Sequence, residues 1–312
     1  MSHIPVLKNE VLKYLDPKPG QNFIDATISG AGHAVAILEK NKPDGKVLGI
    51  EIDPEIYDDT KSRTEKFLEN RLILINDSYA NLKEIIKKNK LGTINGILFD
   101  LGMSSWHIEE SKKGFSFLKD ETLDMRYSAK ISNFSAFAEA TEGKQFLISN
   151  DLTAEEIINS YPEQELEKIL REYGEEKFAS KIAKEIIKIR KIKPIKTTFQ
   201  LAEVIKKAVP IFYKKEKINP ATRTFQALRI AVNSELDNLR NVLPQAADIL
   251  EKGAKIVVIS FHSLEDRIVK NFFKEQFLKL KTLTKKPITA DYKEIKNNIR
   301  ARSAKLRAAE KI

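Results

Sequence analysis

The chain has 312 residues, with 54 Lys and Arg against 44 Asp and Glu, a formal net charge of +10; at roughly 100–200 residues per domain it holds about two domains. Its 42% hydrophobic content suffices for a buried core, and with 12 Gly and 11 Pro it is neither collagen-like nor of low complexity. The absence of cysteine removes disulfides, iron–sulfur clusters, thiolate zinc sites and thiol nucleophiles, and the presence of only four histidines (His3, His33, His107, His262) argues against a His-rich metal site, so no metal is expected.

The first twenty residues lack the unbroken apolar run of a secretory leader. Four β-type runs follow, at residues 22–26, 46–51, 72–76 and 96–100. Each is apolar on both faces, as strands covered by helices are. Helical spacing separates them, at residues 34–40, 56–68 and 82–88. This alternation predicts an α/β fold with a parallel, doubly wound sheet.

The alternation then stops. The next clear strand, residues 255–261, lies 155 residues further on, whereas a crossover needs only a dozen or more. A mainly helical domain is therefore inserted, over residues 108–210. Its apolar positions recur three and four apart: Leu166, Ile169 and Leu170; Phe178, Ile182, Ile186 and Ile187; Leu201, Val204 and Ile205. Lys193-Pro194 breaks the run, and residues 132–150 read as loop. The sheet domain, residues 1–107, resumes over 211–312. Asn219-Pro220 opens a long amphipathic helix through Phe225, Leu228, Val232, Leu236 and Leu239. Leu243-Pro244 divides it from a second helix at 246–250, which Gly253 ends. The 255–261 run is far too short for the ~20 residues that span a bilayer, so a soluble, cytoplasmic protein with no membrane partner is expected.

Residues 252–312 hold 16 Lys and Arg against 6 Asp and Glu, while residues 1–251 hold 38 of each. The whole excess lies in the last fifth of the chain, and residues 206–217 add a second basic cluster. A one-sided basic field is the footprint of a polyanion, with nucleic acid set against anionic lipid or a solubilising tail.

The first strand ends in Asp25-Ala-Thr-Ile-Ser-Gly-Ala-Gly-His33, directly before a helix. Small residues there let a ligand approach the backbone, and helix-terminal N–H groups point outward. The second strand ends in Glu51, where an acid can accept hydrogen bonds from a ribose diol, and the fourth ends in Asp100 at the same carboxyl edge. Together they predict a nucleoside cofactor. NAD and S-adenosylmethionine both remain open; the latter has no pyrophosphate and does not need the full Gly-x-Gly-x-x-Gly pattern, which is absent.

Several longer strings carry a family resemblance: Asp100-Leu-Gly-Met-Ser-Ser105, Gly114-Phe-Ser-Phe117, Leu123-Asp-Met-Arg126, Tyr173-Gly-Glu-Glu176, Asn219-Pro-Ala-Thr-Arg-Thr-Phe-Gln-Ala227, Val232-Asn-Ser-Glu-Leu236 and Ser260-Phe-His-Ser-Leu-Glu-Asp-Arg267. The chain resembles the RsmH (MraW) family of ribosomal RNA small-subunit cytosine-N4 methyltransferases, over residues 3–307. The resemblance implies a class I, Rossmann-like methyltransferase fold with a helical, substrate-recognising insertion. It implies methyl transfer from S-adenosyl-L-methionine to N4 of a cytidine in the decoding region of 16S rRNA, in the small ribosomal subunit. It also implies cofactor contacts at Ala31, Gly32, His33, Glu51, Tyr79, Asp100 and His107. The family's first loop commonly reads Gly-x-Gly-Gly-His; here it is Ser29-Gly-Ala-Gly-His33, and if that loop needs positive φ, Ser29 and Ala31 each cost about 1 kcal/mol or more.

Cytosine N4 is a poor nucleophile because its lone pair is delocalised into the ring. A carboxylate accepting an N4 hydrogen helps to localise it, and Asp100 is the candidate catalytic residue. The target base must be single-stranded or flipped and then stacked. Trp106, Phe115 and Phe117 are candidates for that wall, with packing at the root of the insertion as the alternative for the two phenylalanines. Arg126, Arg223, Arg300 and Arg302 are candidate phosphate contacts, and His262 reads as a hydrogen-bonded residue at a strand end. The competing functions are a non-catalytic RNA-binding or ribosome-assembly factor on the same fold, and an NAD dehydrogenase, which has no use for the basic C-terminal stretch.

Overall fold

The computed structural model describes residues 4–65, 70–128, 152–214 and 218–312. They divide into a sheet unit, residues 1–104 with 236–312, and a helical unit, residues 105–235.

The sheet unit begins with α1 (Lys8–Leu15), β1 (Asn22–Asp25), α2 (Gly32–Lys40), β2 (Val47–Glu51), α3 (Pro54–Thr64), β3 (Leu72–Asn76), α4 (Leu82–Asn89) and β4 (Ile94–Asp100). Local chemistry sets several starts. Pro54 occupies the first turn of α3, and the Asp53 side chain accepts from Glu55 N at 2.9 Å. Residues 66–69, at the end of the helix read over 56–68, lie outside the described residues, as does the 132–150 segment.

The helical unit holds α5 (Ser105–Glu109), α6 (Ala154–Ser160), α7 (Glu163–Glu172), α8 (Ala179–Arg190), α9 (Thr198–Ala208), α10 (Ile211–Lys214) and α11 (Ala221–Asn233). The three apolar sets read from the sequence fall on α7, α8 and α9, with Leu166, Leu170, Ile182, Ile186, Leu201 and Ile205 fully buried. Capping boxes at Thr153/Glu156 and Thr197/Gln200 start α6 and α9.

The sheet unit then continues with α12 (Glu235–Ile249), β5 (Lys255–Ser260), α13 (Ser263–Glu275), β6 (Leu280–Thr282), α14 (Tyr292–Asn297) and β7 (Lys305–Lys311). Two expectations are corrected. The single long helix breaks at Ser234, which sits in the left-handed region at φ +49, so α11 belongs to the helical unit and α12 starts afresh. Pro244 lies inside α12 instead of dividing it; the buried flank of Leu239, Val242, Leu243, Ala246 and Ala247 outweighs the lost backbone hydrogen bond.

The strand order is β3-β2-β1-β4-β5-β7-β6, parallel from β3 to β5 and antiparallel at β7 and β6. This is the expected Rossmann-like, doubly wound sheet. Each face has its own core. Ile24, Leu48, Ile97, Phe99 and Val258 meet residues of α4, α12 and α13, while Phe23, Val47, Leu98 and Val257 meet α1 and α2. Successive residues of one strand serve opposite cores, which is why the runs are apolar throughout. The chain reverses its order of winding between β1 and β4, where open α/β sheets place ligands at the carboxyl edge. Among the described residues, no helix is long and apolar enough to cross a membrane.

The loop from β1 to α2 is strained. Ser29 lies at φ +42 and Ala31 at φ +60. Ser29 is pinned there from both sides: its N–H donates to Glu51 Oε2 at 3.1 Å, and its carbonyl accepts from the Thr60 hydroxyl. A side chain in this region costs roughly 1–2 kcal/mol, partly offset by the unfolded-state entropy a glycine adds. Ser29→Gly should therefore raise the stability of the chain by about 0.5–1 kcal/mol, read as a higher urea midpoint at unchanged slope; a lowered midpoint would mean that Ser29 is unstrained.

Candidate active site

Asp25, the last residue of β1, is buried, and its carboxylate accepts from Thr27 N at 3.3 Å. Burial pushes this carboxyl up to about 6; His33 and the Thr27 N–H pull it down, and Asp100 adds to the rise. The Thr27 hydroxyl accepts from Asp100 N at 2.7 Å, so one threonine links the tips of β1 and β4. His33, the second residue of α2, is also buried, with Nε2 3.5 Å from Asp100 Oδ2. Both ring nitrogens of His33, and Asp100 Oδ1, are buried without a hydrogen bond. Leaving such atoms unsatisfied costs about 1–3 kcal/mol each. Their convergence at the switch point fits a polar ligand that supplies the missing partners.

Glu51 ends β2. Its Oε1 accepts from Asp53 N at 3.0 Å and its Oε2 from Ser29 N at 3.1 Å. Burial pushes this carboxyl up to about 7, against the pull of the Asp53 and Ser29 N–H groups and with a further push from the Asp53 charge. An acid already orientated by two backbone donors, at the tip next to β1, is placed to accept from a ribose diol. Tyr79 opens a 3₁₀ turn, Tyr79–Asn81, after β3 and meets Phe99 edge-on at 6.1 Å. Ala31 is fully buried, main chain included, and a Cβ on its half-buried neighbour Gly32 would come within 3.1 Å of the Pro5 ring. The sheet unit thus gathers Ala31, Gly32, His33, Glu51, Tyr79 and Asp100 along the tips of β1 to β4. Asp25 and Thr27 were not singled out from the sequence. The signal available was an acid at the end of the first strand, two residues before a hydroxyl.

His107 and the candidate base wall lie in the helical unit. His107 is buried in α5, 5.1 Å from Phe115, 4.8 Å from Tyr127 and 5.5 Å from Trp106 between ring centroids. Phe115 is buried and stacked on Tyr127 at 5.3 Å, and Phe117 meets Phe225 edge-on at 5.3 Å. Trp106 is half-buried beneath the Lys113 ammonium, 5.5 Å from the ring centroid. The two phenylalanines thus pack inside their unit, Phe115 buried and Phe117 half-buried like Trp106.

The candidate arginines differ in their commitments. Arg126 holds Asp124 with two bonds of 2.8 Å, and Arg223 donates to the Tyr213 hydroxyl at 3.3 Å. Tyr213 in turn donates to the buried Glu176 at 2.8 Å. Arg300 and Arg302 lie on a 3₁₀ turn, Ile299–Ser303, where Arg302 is exposed. His262 caps α13, with Nε2 3.1 Å from Glu265 Oε1, which is a strand-end structural role.

A family model described as the MraW methylase family matches residues 1–141 and 145–312. Proteins named ribosomal RNA small subunit methyltransferase H are similar over nearly their whole length. That of Dictyoglomus thermophilum is 43% identical over 310 residues, covering 99% of this chain and 96% of its own. That of Sulfurihydrogenibium sp. is 42% identical over 314 residues, covering all of both chains, and that of Heliobacterium mobile is 40% identical over 328 residues, covering 99% of each. With a doubly wound sheet whose ligand edge carries these residues, the chain belongs to the MraW methylase family.

Proposed function

We propose that this chain transfers a methyl group from S-adenosylmethionine to the exocyclic N4 of a cytidine in the decoding region of 16S rRNA, with the small ribosomal subunit as its partner. The observation that carries this reading is the buried Asp25–His33–Asp100 group at the switch point, with Asp100 Oδ1 and both His33 nitrogens lacking hydrogen bonds. The family's methylase chemistry and its relatives' names support the substrate class. An rRNA substrate places the work in the cytoplasm.

S-adenosylmethionine supplies a methyl on a sulfonium, whose thioether leaving group needs no protonation. Glu51 would hold the ribose diol through its carboxylate, and the backbone at Gly32, backed by the buried Ala31, would line the cofactor's path. Asp100 accepts a hydrogen bond from the cytosine amino group, which localises the nitrogen lone pair. Transfer to the amino nitrogen would leave it cationic, the electron pair of the broken carbon–sulfur bond departing with the neutral thioether, and Asp100 is the group placed to relieve that charge. Its proton would then pass to the Asp100 carboxylate, whose Oδ2 lies 3.5 Å from His33 Nε2. Positioning of this kind supplies about 7–11 kcal/mol in the best cases. The helical unit recognises the RNA around the target, with the half-buried Trp106 as the ring for the base.

The second reading, an RNA-binding assembly factor without catalysis, is favoured by one observation: Ser29 and Ala31 place side chains where the backbone is left-handed. Calorimetry separates the two, because the assembly factor has no detectable affinity for S-adenosylmethionine at millimolar concentration.

Asp100→Ala should lower methyl transfer to small-subunit RNA by about 10²–10⁴-fold, measured with a tritiated methyl donor, and leave RNA affinity within a factor of two or so. Near-normal transfer would remove Asp100 from the reaction. Cofactor affinity should also depend on pH with a definite sign. Free Glu51 holds its proton up to about pH 7, and the diol binds its ionised form. Affinity should thus rise about tenfold per pH unit below 7 and level off above it, and Glu51→Gln should flatten that profile. An unchanged profile in Glu51→Gln would show that Glu51 does not hold the ribose.

A further inference from the structure

The antiparallel end of the sheet carries a feature that methyl transfer does not use. A cleft of about 560 Å³ lies between α13 and the edge strand β6. Four lysines line it: Lys270 and Lys274 from α13, and Lys281 and Lys285 from β6 and the residues after it. All four are exposed; among the described residues their ammonium groups make no ion pair or hydrogen bond, and no acidic side chain lines the cleft. Arg307, at its back, is already held by Asp266 at 2.6 and 3.1 Å. Phe277, 66% exposed, forms one wall, and Leu278 beside it is 77% exposed.

Lysine on an edge strand guards against unwanted pairing with another chain, which accounts for Lys281 and Lys285. It does not account for Lys270 and Lys274, which lie on a helix, four residues apart and mutually repulsive. Nor does it account for an exposed phenylalanine on a wall of the same cleft. Lysines that track a groove, with an aromatic face open within it, are the arrangement that binds single-stranded nucleic acid: cations meet phosphates and the ring takes a base. The concave shape admits a strand, whereas a flat bilayer surface reaches such a wall only at its rim. The cleft lies three strand spacings from β4, about 14 Å, at the opposite edge of the sheet from β3.

We infer that the cleft between α13 and β6 is a second RNA-docking surface, which holds a single-stranded segment flanking the methylated one through Lys270, Lys274, Lys281 and Lys285 and stacks a base on Phe277. This rests on the rRNA substrate proposed above. It places four of the sixteen basic residues of 252–312 in one groove, apart from Arg300 and Arg302.

The test measures anisotropy of a fluorescently labelled pyrimidine oligoribonucleotide against salt, for the full chain and two variants. One variant combines Lys270→Gln, Lys274→Gln, Lys281→Gln and Lys285→Gln; the other is Phe277→Ala. The lysine variant should lower the magnitude of the salt slope by about 0.7 for each phosphate it no longer neutralises, and Phe277→Ala should weaken binding at least about fivefold with the slope kept. Both should keep the wild-type unfolding temperature and S-adenosylmethionine affinity. Wild-type affinity and slope in both variants would overturn the inference. So would binding to phosphatidylglycerol vesicles that the lysine substitutions abolish while RNA affinity stands, which would assign the cleft to a membrane. Methylation of small-subunit RNA by the wild-type chain, assayed on the same preparation, reports separately whether the proposed reaction stands.

Discussion

The site depends on one short link, the 2.7 Å hydrogen bond from Asp100 N to the Thr27 hydroxyl. It ties the tips of β1 and β4 together beyond their ladder, where the winding order reverses. With the tips locked, Asp100 lies near enough to add to the cost of ionising the buried Asp25, and His33, with Nε2 3.5 Å from Asp100 Oδ2, lowers it. A charged pair of this kind is held only where the surrounding structure leaves it no alternative. Here the two apolar cores on either face of the sheet supply that rigidity.

The arrangement trades stability for readiness. The Asp25 and Glu51 carboxyls rise in the folded chain from ordinary values of 3.8 and 4.5 to about 6 and about 7. The folded state therefore binds more protons than the unfolded chain between about pH 4 and pH 7, and loses stability as pH rises through that window. Ser29 and Ala31 add backbone strain in the same loop. Strain and desolvated acids gathered at one end of an otherwise regular sheet are what a binding site leaves behind. A diol on Glu51 and an amino group on Asp100 would return part of that energy on binding.

Much of this is legible in the order of the amino acids. The runs at 22–26, 46–51, 72–76 and 96–100 form strands because burial on both faces writes an unambiguous apolar code. The acids at the ends of three of those runs, Asp25, Glu51 and Asp100, mark the ligand edge for the same reason: a charge at the end of an apolar strand has few structural excuses. The rest is hidden by identifiable physics. β7 reads Lys-Leu-Arg-Ala-Ala-Glu-Lys, and its Arg307 is buried only because Asp266 meets it; a one-dimensional reading takes such a segment for a basic tail. Pro244 signals a break that packing overrides, and Ser234 conceals one that only its φ of +49 reveals. Thr27 carries only the faint signal of a hydroxyl two residues past a strand-end acid, since its role is to reach across to a strand 73 residues away.

Everything proposed for Asp100 turns on which atom receives the methyl group. Small-subunit RNA treated with this chain and S-adenosylmethionine, digested to nucleosides and resolved by mass spectrometry, should contain N4-methylcytidine in the decoding region. A methyl on a ring carbon, a ribose or another base would contradict the role given to Asp100, and an unmodified RNA would contradict the reaction itself.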